Sequence, residues 1–376
     1  MKILHLISTN GIAGAEKHLN YLLPGMAAYN TECHLIIVHP ELSTPSLTLF
    51  ANLLNAKNVK TTLIKTEHAI SLYVLRKIKA YLKLHKIKII HSHLLRADVL
   101  AVLLKKFFFK QLYVISTKHG YEEKALMNYN ADKFEIPRNI YYCVTKYCLK
   151  IIDQNISISR CISQLFINFN LTKTYYKVIY HGVDVEFENI PLPDFDNFNP
   201  KLVIVGRLEP LKGHKYVIKA MEIVLKHVHN AQLFIIGEGS YKENLKEITE
   251  KYNIAENVKF LGFKSNVLAF INEADLIIIP SSFEAFGLVF IEAMGLKKCI
   301  IAFDVPAGNE ILTHKKTAML SPVFDENLLA ENILFLLSNK AECNRIAENA
   351  FLAYKENFTT EIMIRNTANF YKSLSF

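Results

Sequence analysis

The segment from Glu284 to Glu292 holds the residue types and spacing that most favour chemistry on a ligand. The apolar stretch Leu276–Ile279 predicts a buried strand, and the loop after it, with Glu284 and Gly287, leads into a helix. A carboxylate at the end of a buried strand needs polar partners, and sugar hydroxyls are natural ones. Free N–H groups at the helix start would face an anion. The alternative is a capping acid followed by an ordinary helical glutamate.

The two carboxylates of this segment do not fit a hydrolase pair. Glycosidase carboxylates lie roughly 5–9.5 Å apart. Eight residues of helix would place Glu284 and Glu292 about 12 Å apart and roughly 80° apart around the axis. We therefore expect two separate contacts on one extended ligand.

A second candidate loop follows the first strand predicted after residue 200. It contains Gly206, Arg207 and Lys212, and the two cations are five positions apart. The planar fork of arginine and the point charge of lysine together suit a diphosphate. The alternative is two surface cations near a turn. Gly237, after another predicted strand, permits a close backbone approach.

The loop after the first predicted strand also carries glycines. Gly11 and Gly14 lack the G-x-G-x-x-G spacing of dinucleotide-binding loops. Gly14, at the start of a predicted helix, would offer free N–H groups to a phosphate. A plain strand-to-helix turn would use glycine equally well.

Histidines follow two other predicted strands. His91 and His93 form a His-x-His pair, but neither a carboxylate nor a cysteine has matching spacing, so we expect no metal site. His119, beside Gly120, is placed to donate to a sugar or phosphate oxygen.

Residues 191–200 contain three prolines and no helical period, which predicts a linker. Asp194 and Asp196 in this stretch match the D-x-D pattern of metal-dependent sugar transferases. Because they lie in the linker and not at a strand end, we interpret them as solvated linker residues.

Short apolar stretches alternate with amphipathic ones on both sides of this linker. Seven strands are predicted before the linker, one of them at 150–158, and six are predicted after it. One of the helices predicted after the linker spans 309–312. Continuous apolar strands alternating with helices indicate parallel sheets covered on both faces. The predicted class is α/β, with two doubly wound domains that bind ligands outside the carboxyl ends of their strands.

The composition fits two ordinary domains in 376 residues with a net charge of +9. The first 190 residues contain 24 Lys and Arg against 13 Asp and Glu, and the remainder contains 20 against 22. The basic half implies an anionic partner or simple solvation. The six cysteines include no C-x-x-C pair, which indicates reduced thiols in a cytosolic protein. We expect no signal peptide and no membrane-spanning segment.

In chain order, these motifs resemble glycosyltransferase family 4, the retaining group 1 transferases of the GT-B fold, over nearly the whole chain. The matching motifs are Gly14-Ala15-Glu16, His91-Ser92-His93, His119-Gly120, His181-Gly182-Val183-Asp184, Gly206-Arg207-Leu208 with Lys212-Gly213, and the E-x7-E segment 284–292. There are two departures. Ala13 stands where the family has a second glycine, and His181 stands in place of an asparagine.

The resemblance implies a role for each motif. Arg207 and Lys212 would bind the donor diphosphate, Glu284 the sugar hydroxyls, Glu292 the ribose and His119 the transferred sugar. The implied donor-binding set is Gly14, Gly206, Gly237, Phe263, Phe286, Gly287, Leu288, Val289 and Glu292. The implied acceptor-side set is Asn10, Ala13, His93 and Tyr121. Arg207, Lys212, Glu284 and His119 would be catalytic, with no metal or other cofactor required.

The resemblance also implies the domain layout. A Rossmann-like acceptor-binding domain would span 1–190, the linker 191–200 and a Rossmann-like donor-binding domain 201–357. A C-terminal helix, 358–376, would cross back to the first domain.

The expected activity is transfer of a sugar, from a UDP-sugar in preference, to a hydroxyl of a lipid-linked glycan in surface polysaccharide or glycoconjugate assembly. The segment from Lys105 to Lys110 places cations around three phenylalanines, which suits an anionic membrane surface. Its alternative is a helix end whose phenylalanines return to the core. We expect a cytoplasmic enzyme bound peripherally at the inner face of the cell membrane. The alternatives are a nucleotide-sugar epimerase or phosphorylase on the same frame and, remotely, a nucleic-acid-binding protein.

Overall fold

The computed structural model describes residues 1–40, 44–121, 139–186, 195 and 200–374. The chain divides into two compact units. Unit 1 comprises residues 1–182 together with 360–376, and unit 2 comprises residues 183–359. Asp194 and Asp196, with most of the predicted linker, lie outside the described residues.

Unit 1 contains a seven-stranded sheet in the order β3-β2-β1-β4-β5-β6-β7, and neighbouring strands run parallel. Its strands are β1 Lys2–Ser8, β2 Glu32–His39, β3 Lys60–Lys65, β4 Ile89–His93, β5 Tyr113–Lys118, β6 Gln154–Ser157 and β7 Lys177–Val178. Its described helices are α1 Gly14–Gly25, α2 Thr44–Ala56, α3 Leu72–His85, α4 Leu95–Phe107, α5 Ile140–Leu149, α6 Arg160–Asn168 and α14 Thr360–Lys372, with a 3₁₀ turn at Met26–Tyr29.

Both faces of this sheet are covered, as parallel strands require. One face packs against α1, α2 and α14 through a core that includes Leu19, Met363 and Tyr371. The other packs against α3 and α4 through a core that includes Ile78 and Leu100. Side-chain caps fix the starts of three helices. Ser71, Asn139 and Ser159 each accept a hydrogen bond from the backbone N–H three residues later.

Unit 2 repeats the plan with six parallel strands in the order β10-β9-β8-β11-β12-β13. Its strands are β8 Lys201–Val205, β9 Gln232–Ile236, β10 Val258–Gly262, β11 Leu276–Ile279, β12 Ile300–Phe303 and β13 Met319–Ser321. Its described helices are α7 His214–His227, α8 Lys242–Lys251, α9 Val267–Glu273, α10 Leu288–Gly295, α11 Pro306–Asn309, α12 Glu326–Ser338 and α13 Lys340–Asn357, with 3₁₀ turns at Pro210–Lys212 and Ala255–Asn257.

The predicted α/β class with two doubly wound parallel sheets is confirmed, and two of the predicted elements have clearly different boundaries. The strand predicted at 150–158 is only Gln154–Ser157, because Lys150 closes the preceding helix as its cap. The helix predicted at 309–312 is instead Pro306–Asn309, since proline suits the first turn of a helix.

Candidate functional site

The loops after β8 and β11, which are neighbouring strands, meet through an ion pair. Lys212 Nζ lies 2.6 Å from Glu284 Oε1, and the two side chains are 23% and 13% exposed. The backbone N–H of Ser282 donates to the carbonyl of Leu211 at 2.9 Å, which ties the same two loops together. The structure therefore brings the predicted phosphate cation and the predicted sugar carboxylate into direct contact.

Glycine is required where these loops pass each other. Gly213 has a φ of +70°, and a Cβ there would lie 1.8 Å from the carbonyl oxygen of Pro280. Gly237 has a φ of +146°, and a Cβ there would lie 1.9 Å from the carbonyl oxygen of Gly206. Both positions exclude any side chain, so the strand-end loops of unit 2 form one closely packed rim.

The other residues predicted on the donor side take varied positions along this rim. Arg207 is exposed on the loop after β8. Gly206 and Gly237 are half-buried, and the N–H of Gly237 donates to the carbonyl of Gly262 at 2.9 Å. Phe263, beside that carbonyl, is 77% exposed, so its ring is available to a flat ligand.

Only the second half of the Glu284–Glu292 segment is helical. Gly287 caps it with a φ of +94°, and α10 begins at Leu288. The expectation of eight helical residues between the two glutamates is therefore wrong, and helical spacing applies only from Leu288 to Glu292. Phe286 and Glu292 are buried, whereas Gly287, Leu288 and Val289 are half-buried at the helix start.

His214, the first residue of α7, was missed by the sequence analysis. It is 1% exposed, and neither ring nitrogen has a hydrogen-bond partner among the described residues. Burial, with a further contribution from Lys212, lowers the pKa of His214 to about 3. In the sequence, the only indication of a role for His214 was its position directly after Lys212 and Gly213.

In unit 1, six histidines gather beside the carboxyl ends of the central strands. Ring centroids link neighbouring members at 4.4–6.1 Å. The members of this histidine cluster are His5, His18, His91, His93, His119 and His181. Side chains two residues apart on a strand share a face, which places His91 and His93 together, and the register pairs His5 with His91.

His119 stands at the accessible side of this cluster. It is half-buried, and one of its ring nitrogens, Nε2, lies 2.9 Å from Nδ1 of His93. His93 is fully buried and contacts His119. His18 and His181 pack against the ring of His119 at 5.5 Å.

All six cluster histidines are held neutral. Burial is the leading cause in each case, and neighbouring histidines add to it for most members. The pKa of His5 falls to about 3 and that of His18 to about 4, and the pKa values of His91, His93, His119 and His181 lie well below the ordinary value of 6.5. Neutral rings present one donor and one acceptor each.

A buried ion pair supports β5, the strand that ends one residue before His119. Lys118 Nζ lies 2.7 Å from Asp98 Oδ2, and both side chains are almost fully buried. The hydroxyls of Ser92 and Ser116 donate to the other carboxylate oxygen at 2.6 Å. This network joins β4, β5 and α4 and was not among the sequence-based predictions. A carboxylate at the first turn of α4 was the only signal.

The first loop of unit 1 positions its glycine as expected at a helix start. Gly14 begins α1 and is exposed, as are Asn10 and Ala13. The N–H of Ala13 donates to Glu16 Oε2 at 2.8 Å. Tyr121, which is also predicted on the acceptor side, differs from Asn10 and Ala13, because it is 8% exposed and packs among aromatic rings.

Three of the histidines lie close enough to be considered as metal ligands. Ligand atoms of His5, His91 and His93 lie within 4.8 Å of one another. Every one of their six ring nitrogens already has a hydrogen-bond partner, so a cation would have to displace those bonds. The expectation that no metal is needed stays a prediction.

The segment from Lys105 to Lys110 divides its phenylalanines between the surface and the core. Phe107 and Phe108 are 65% and 38% exposed, whereas Phe109 packs against the core. Lys105 pairs with Asp153 at 2.5 Å. Among the residues described, no helix is both long and apolar enough to cross a membrane.

Comparison with known proteins agrees with these features. The family described as Glycosyltransferase Family 4 matches residues 12–187, and that described as Glycosyl transferases group 1 matches residues 188–352. Together these two matches cover most of the chain.

Two curated relatives illustrate the sequence similarity. An uncharacterized glycosyltransferase of Methanocaldococcus jannaschii is 30% identical over 217 residues, covering 54% of this chain and 55% of the relative. The N-acetylgalactosamine-N,N'-diacetylbacillosaminyl-diphospho-undecaprenol 4-alpha-N-acetylgalactosaminyltransferase of Campylobacter jejuni is 26% identical over 186 residues, covering 47% and 48%. The chain thus spans about half the length of these relatives.

A solved structure extends the comparison to the fold. The Anabaena protein HepE in complex with UDP and glucose has a TM-score of 0.82 at 20% identity, with all of both chains covered. Because the fold, the strand-end motifs and both family matches agree, the chain belongs to glycosyltransferase family 4, the group 1 glycosyl transferases of the GT-B fold.

Proposed function

We propose that the protein transfers a sugar from a nucleotide-diphospho-sugar, a UDP-sugar in preference, to a hydroxyl of a glycan acceptor with retention of anomeric configuration. The contact between Lys212 and Glu284 carries the proposal, because it places a cation for phosphate beside a carboxylate for hydroxyls. A nucleotide-sugar presents these two chemistries next to each other. The complex of HepE with UDP and glucose supports the choice of UDP.

The donor would occupy the rim of unit 2. Arg207 and Lys212 would neutralise the charge that develops on the departing diphosphate, and electrostatic assistance of this kind is often the largest catalytic contribution. Glu284 would hold sugar hydroxyls, Glu292 the ribose, and the N–H groups at the start of α10 a phosphate oxygen. Transfer would take place on one face of the sugar, with the acceptor hydroxyl attacking as the diphosphate leaves. No divalent metal takes part in this scheme.

The acceptor would bind to unit 1 through the cavity beside its first three strand ends. This cavity measures about 490 Å³ and is lined by polar side chains that include Asn10, His39, His68 and Arg96. A cationic guanidinium there suits the phosphate of a lipid-linked glycan. The name of the Campylobacter relative, which contains diphospho-undecaprenol, supports a lipid-linked acceptor in polysaccharide or glycoconjugate assembly. The exposed aromatic end of α4 would keep the enzyme at a membrane surface.

Two linked measurements test this function. A thermal-shift panel of UDP-, GDP- and ADP-sugars should raise Tm with UDP-sugars, because a ligand that binds only the native state stabilises it. The shift should persist in EDTA. Product made from the stabilising donor should keep the anomeric configuration of the donor by NMR. An inverted product would refute retention, and turnover of the donor without any acceptor would point to an epimerase.

A further inference from the structure

A continuous chain of hydrogen bonds runs through the histidine cluster to His119. It starts at Thr117 Oγ1, which lies 2.6 Å from His91 Nε2, and passes from His91 Nδ1 to the hydroxyl of Tyr371 at 2.5 Å. The hydroxyl of Tyr371 lies 3.4 Å from His5 Nε2. The chain continues from His5 Nδ1 to His93 Nε2 at 3.1 Å, and from His93 Nδ1 to His119 Nε2 at 2.9 Å. We call these six residues the relay.

Five members of the relay have almost no exposure to solvent. Thr117 is 4% exposed, and His5, His91, His93 and Tyr371 are at most 1% exposed. Burial holds the four histidines of the relay neutral by lowering their pKa values, and it raises the pKa of Tyr371 well above its ordinary range. Each ring therefore has one N–H donor and one bare nitrogen. As a result, a ring that donates a hydrogen bond to one neighbour must accept one from the other, so consecutive histidines all donate in the same direction along the relay.

The hydroxyl of Tyr371 sets that direction because it has one proton and two histidine neighbours. A phenol O–H is a stronger donor than an imidazole N–H, and O–H donors make the shorter bonds. The 2.5 Å contact to His91 is thus the one through which Tyr371 donates, and its oxygen accepts from His5 Nε2–H across 3.4 Å. Cys33 Sγ lies 3.8 Å from the same nitrogen, and with this proton placement its sulfur would be a weak second acceptor.

The remaining bonds follow by elimination. With its proton on Nε2, His5 accepts at Nδ1 from His93 Nε2–H. His93 then accepts at Nδ1 from His119 Nε2–H. The Nδ1 of His119 is left with a lone pair, and no described residue donates a hydrogen bond to it.

We propose that Tyr371, His5 and His93 are positioning residues that fix His119 as its Nε2–H tautomer and make its Nδ1 a hydrogen-bond acceptor for a substrate hydroxyl. This inference rests on the proposed function for the presence of a sugar at His119. It also reverses the sequence-based expectation that His119 donates to a sugar or phosphate oxygen. A phosphate oxygen cannot bind at such a nitrogen, whereas a sugar hydroxyl can donate to it.

The tautomer is measurable on the ligand-free protein with histidine labelled in ¹⁵N. Two-bond ¹H–¹⁵N spectra distinguish a protonated ring nitrogen from a bare one, and loss of one signal set in His119→Gln assigns the residue. We expect His119 to have protonated Nε2 and bare Nδ1. A wild-type spectrum with protonated Nδ1 would overturn the direction of the relay, whether or not any variant folds.

Tyr371→Phe tests the anchor while preserving the ring. It should give His119 a mixture of tautomers and lower kcat about tenfold or more, because a histidine in the wrong tautomer loses its function. The donor KM should change less than twofold. Tyr354→Phe is the matched control. The buried hydroxyl of Tyr354 donates to the Val183 carbonyl at 2.8 Å and takes no part in the relay. A His119 spectrum unchanged by Tyr371→Phe would remove Tyr371 from the mechanism.

Two further results separate the possible failures. Bound zinc in the purified protein, with metal-shifted signals from His5, His91 and His93, would replace the relay with a metal site. If no nucleotide-sugar binds, the proposed function fails, whereas the tautomer of the free protein can still be read. Active enzyme whose His119 has the opposite tautomer would refute the relay alone.

Discussion

Lys212 and Glu284 neutralise each other at 2.6 Å before any ligand arrives. Both are partly buried, so removing either one leaves the other with an uncompensated charge. A donor diphosphate would share Lys212 with the carboxylate, and the sugar would offer hydroxyls to Glu284 in exchange. The pair therefore keeps both groups in position for a ligand that satisfies both.

We predict that Lys212→Met will lower kcat/KM by about 10²-fold or more, which is typical of removing one group that stabilises developing negative charge. Glu284→Gln should lower it less, because an amide still accepts from hydroxyls. The double variant should differ from the summed effects by about 0.5–3 kcal/mol, as expected for residues in contact. Steady-state kinetics on the four proteins of the cycle measure this.

The matched control is another lysine and glutamate pair of unit 2. Lys226 and Glu222 lie 3.3 Å apart on α7, with side chains that are 65% and 39% exposed. Lys226→Met should leave kcat/KM at the wild-type value, because exposed pairs contribute little. Wild-type turnover in Lys212→Met would remove the lysine from the diphosphate site.

At the scale of elements, α4 ends in an aromatic surface. Phe107 and Phe108 are exposed there, and Lys79 lies 4.1 Å above the ring of Phe108. Lys110 is exposed beside them, whereas Lys105 is held by Asp153. An apolar surface bordered by exposed and paired cations would suit an anionic lipid interface.

We predict that the protein will float with phosphatidylglycerol vesicles at low salt and not with phosphatidylcholine vesicles. Replacing Phe107 and Phe108 by serine should weaken vesicle binding at least tenfold, given about 1.5–3 kcal/mol for each buried aromatic side chain. Phe335→Ser, at an exposed phenylalanine of α12, is the control and should bind as wild type. Equal flotation of both variants would place the membrane contact elsewhere.

Apolar strands, glycine turns and strand-end polar residues were enough to predict both sheets, because each signal is local in sequence. The proximity of Lys212 and Glu284 could be predicted in part, because the loops that follow neighbouring parallel strands lie at the same edge of the sheet. The relay could not, since Tyr371 comes from α14 and lies 280 residues from His91. His5 was a weak signal, because it is a polar residue between apolar neighbours in a central strand. Its partners depend on the packing of helices over the sheet.

For the whole molecule, the neutral buried histidines imply a pH-dependent stability. In the unfolded chain His5 and His18 bind protons near pH 6.5, whereas in the folded chain they do so only near pH 3 and pH 4, because burial lowers the pKa of each. Between those values the unfolded state holds more protons. The free energy of unfolding therefore rises with pH in this window and falls as pH drops from 6.5 towards 4.

We predict a loss of about 1.4 kcal/mol per pH unit for each such histidine below pH 6.5. Urea unfolding at a series of pH values measures the slope. His18→Gln should make the slope shallower, by as much as the contribution of one bound proton. His229→Gln, at an exposed position, should leave the slope unchanged. A free energy of unfolding that stays constant from pH 6.5 to pH 4 would contradict neutral burial.

Unit 1 is built from two separated stretches of chain, and this fixes the order in which it can be completed during synthesis. A nascent chain that has reached Gly182 has all seven strands of the first sheet but lacks Met363 and Tyr371, which belong to its core. The ribosome must next add the whole of unit 2, whose residues are continuous. Unit 2 can therefore complete its fold before unit 1 does. Proteolytic loss of residues 360–372 would remove part of the core of unit 1 and leave unit 2 intact.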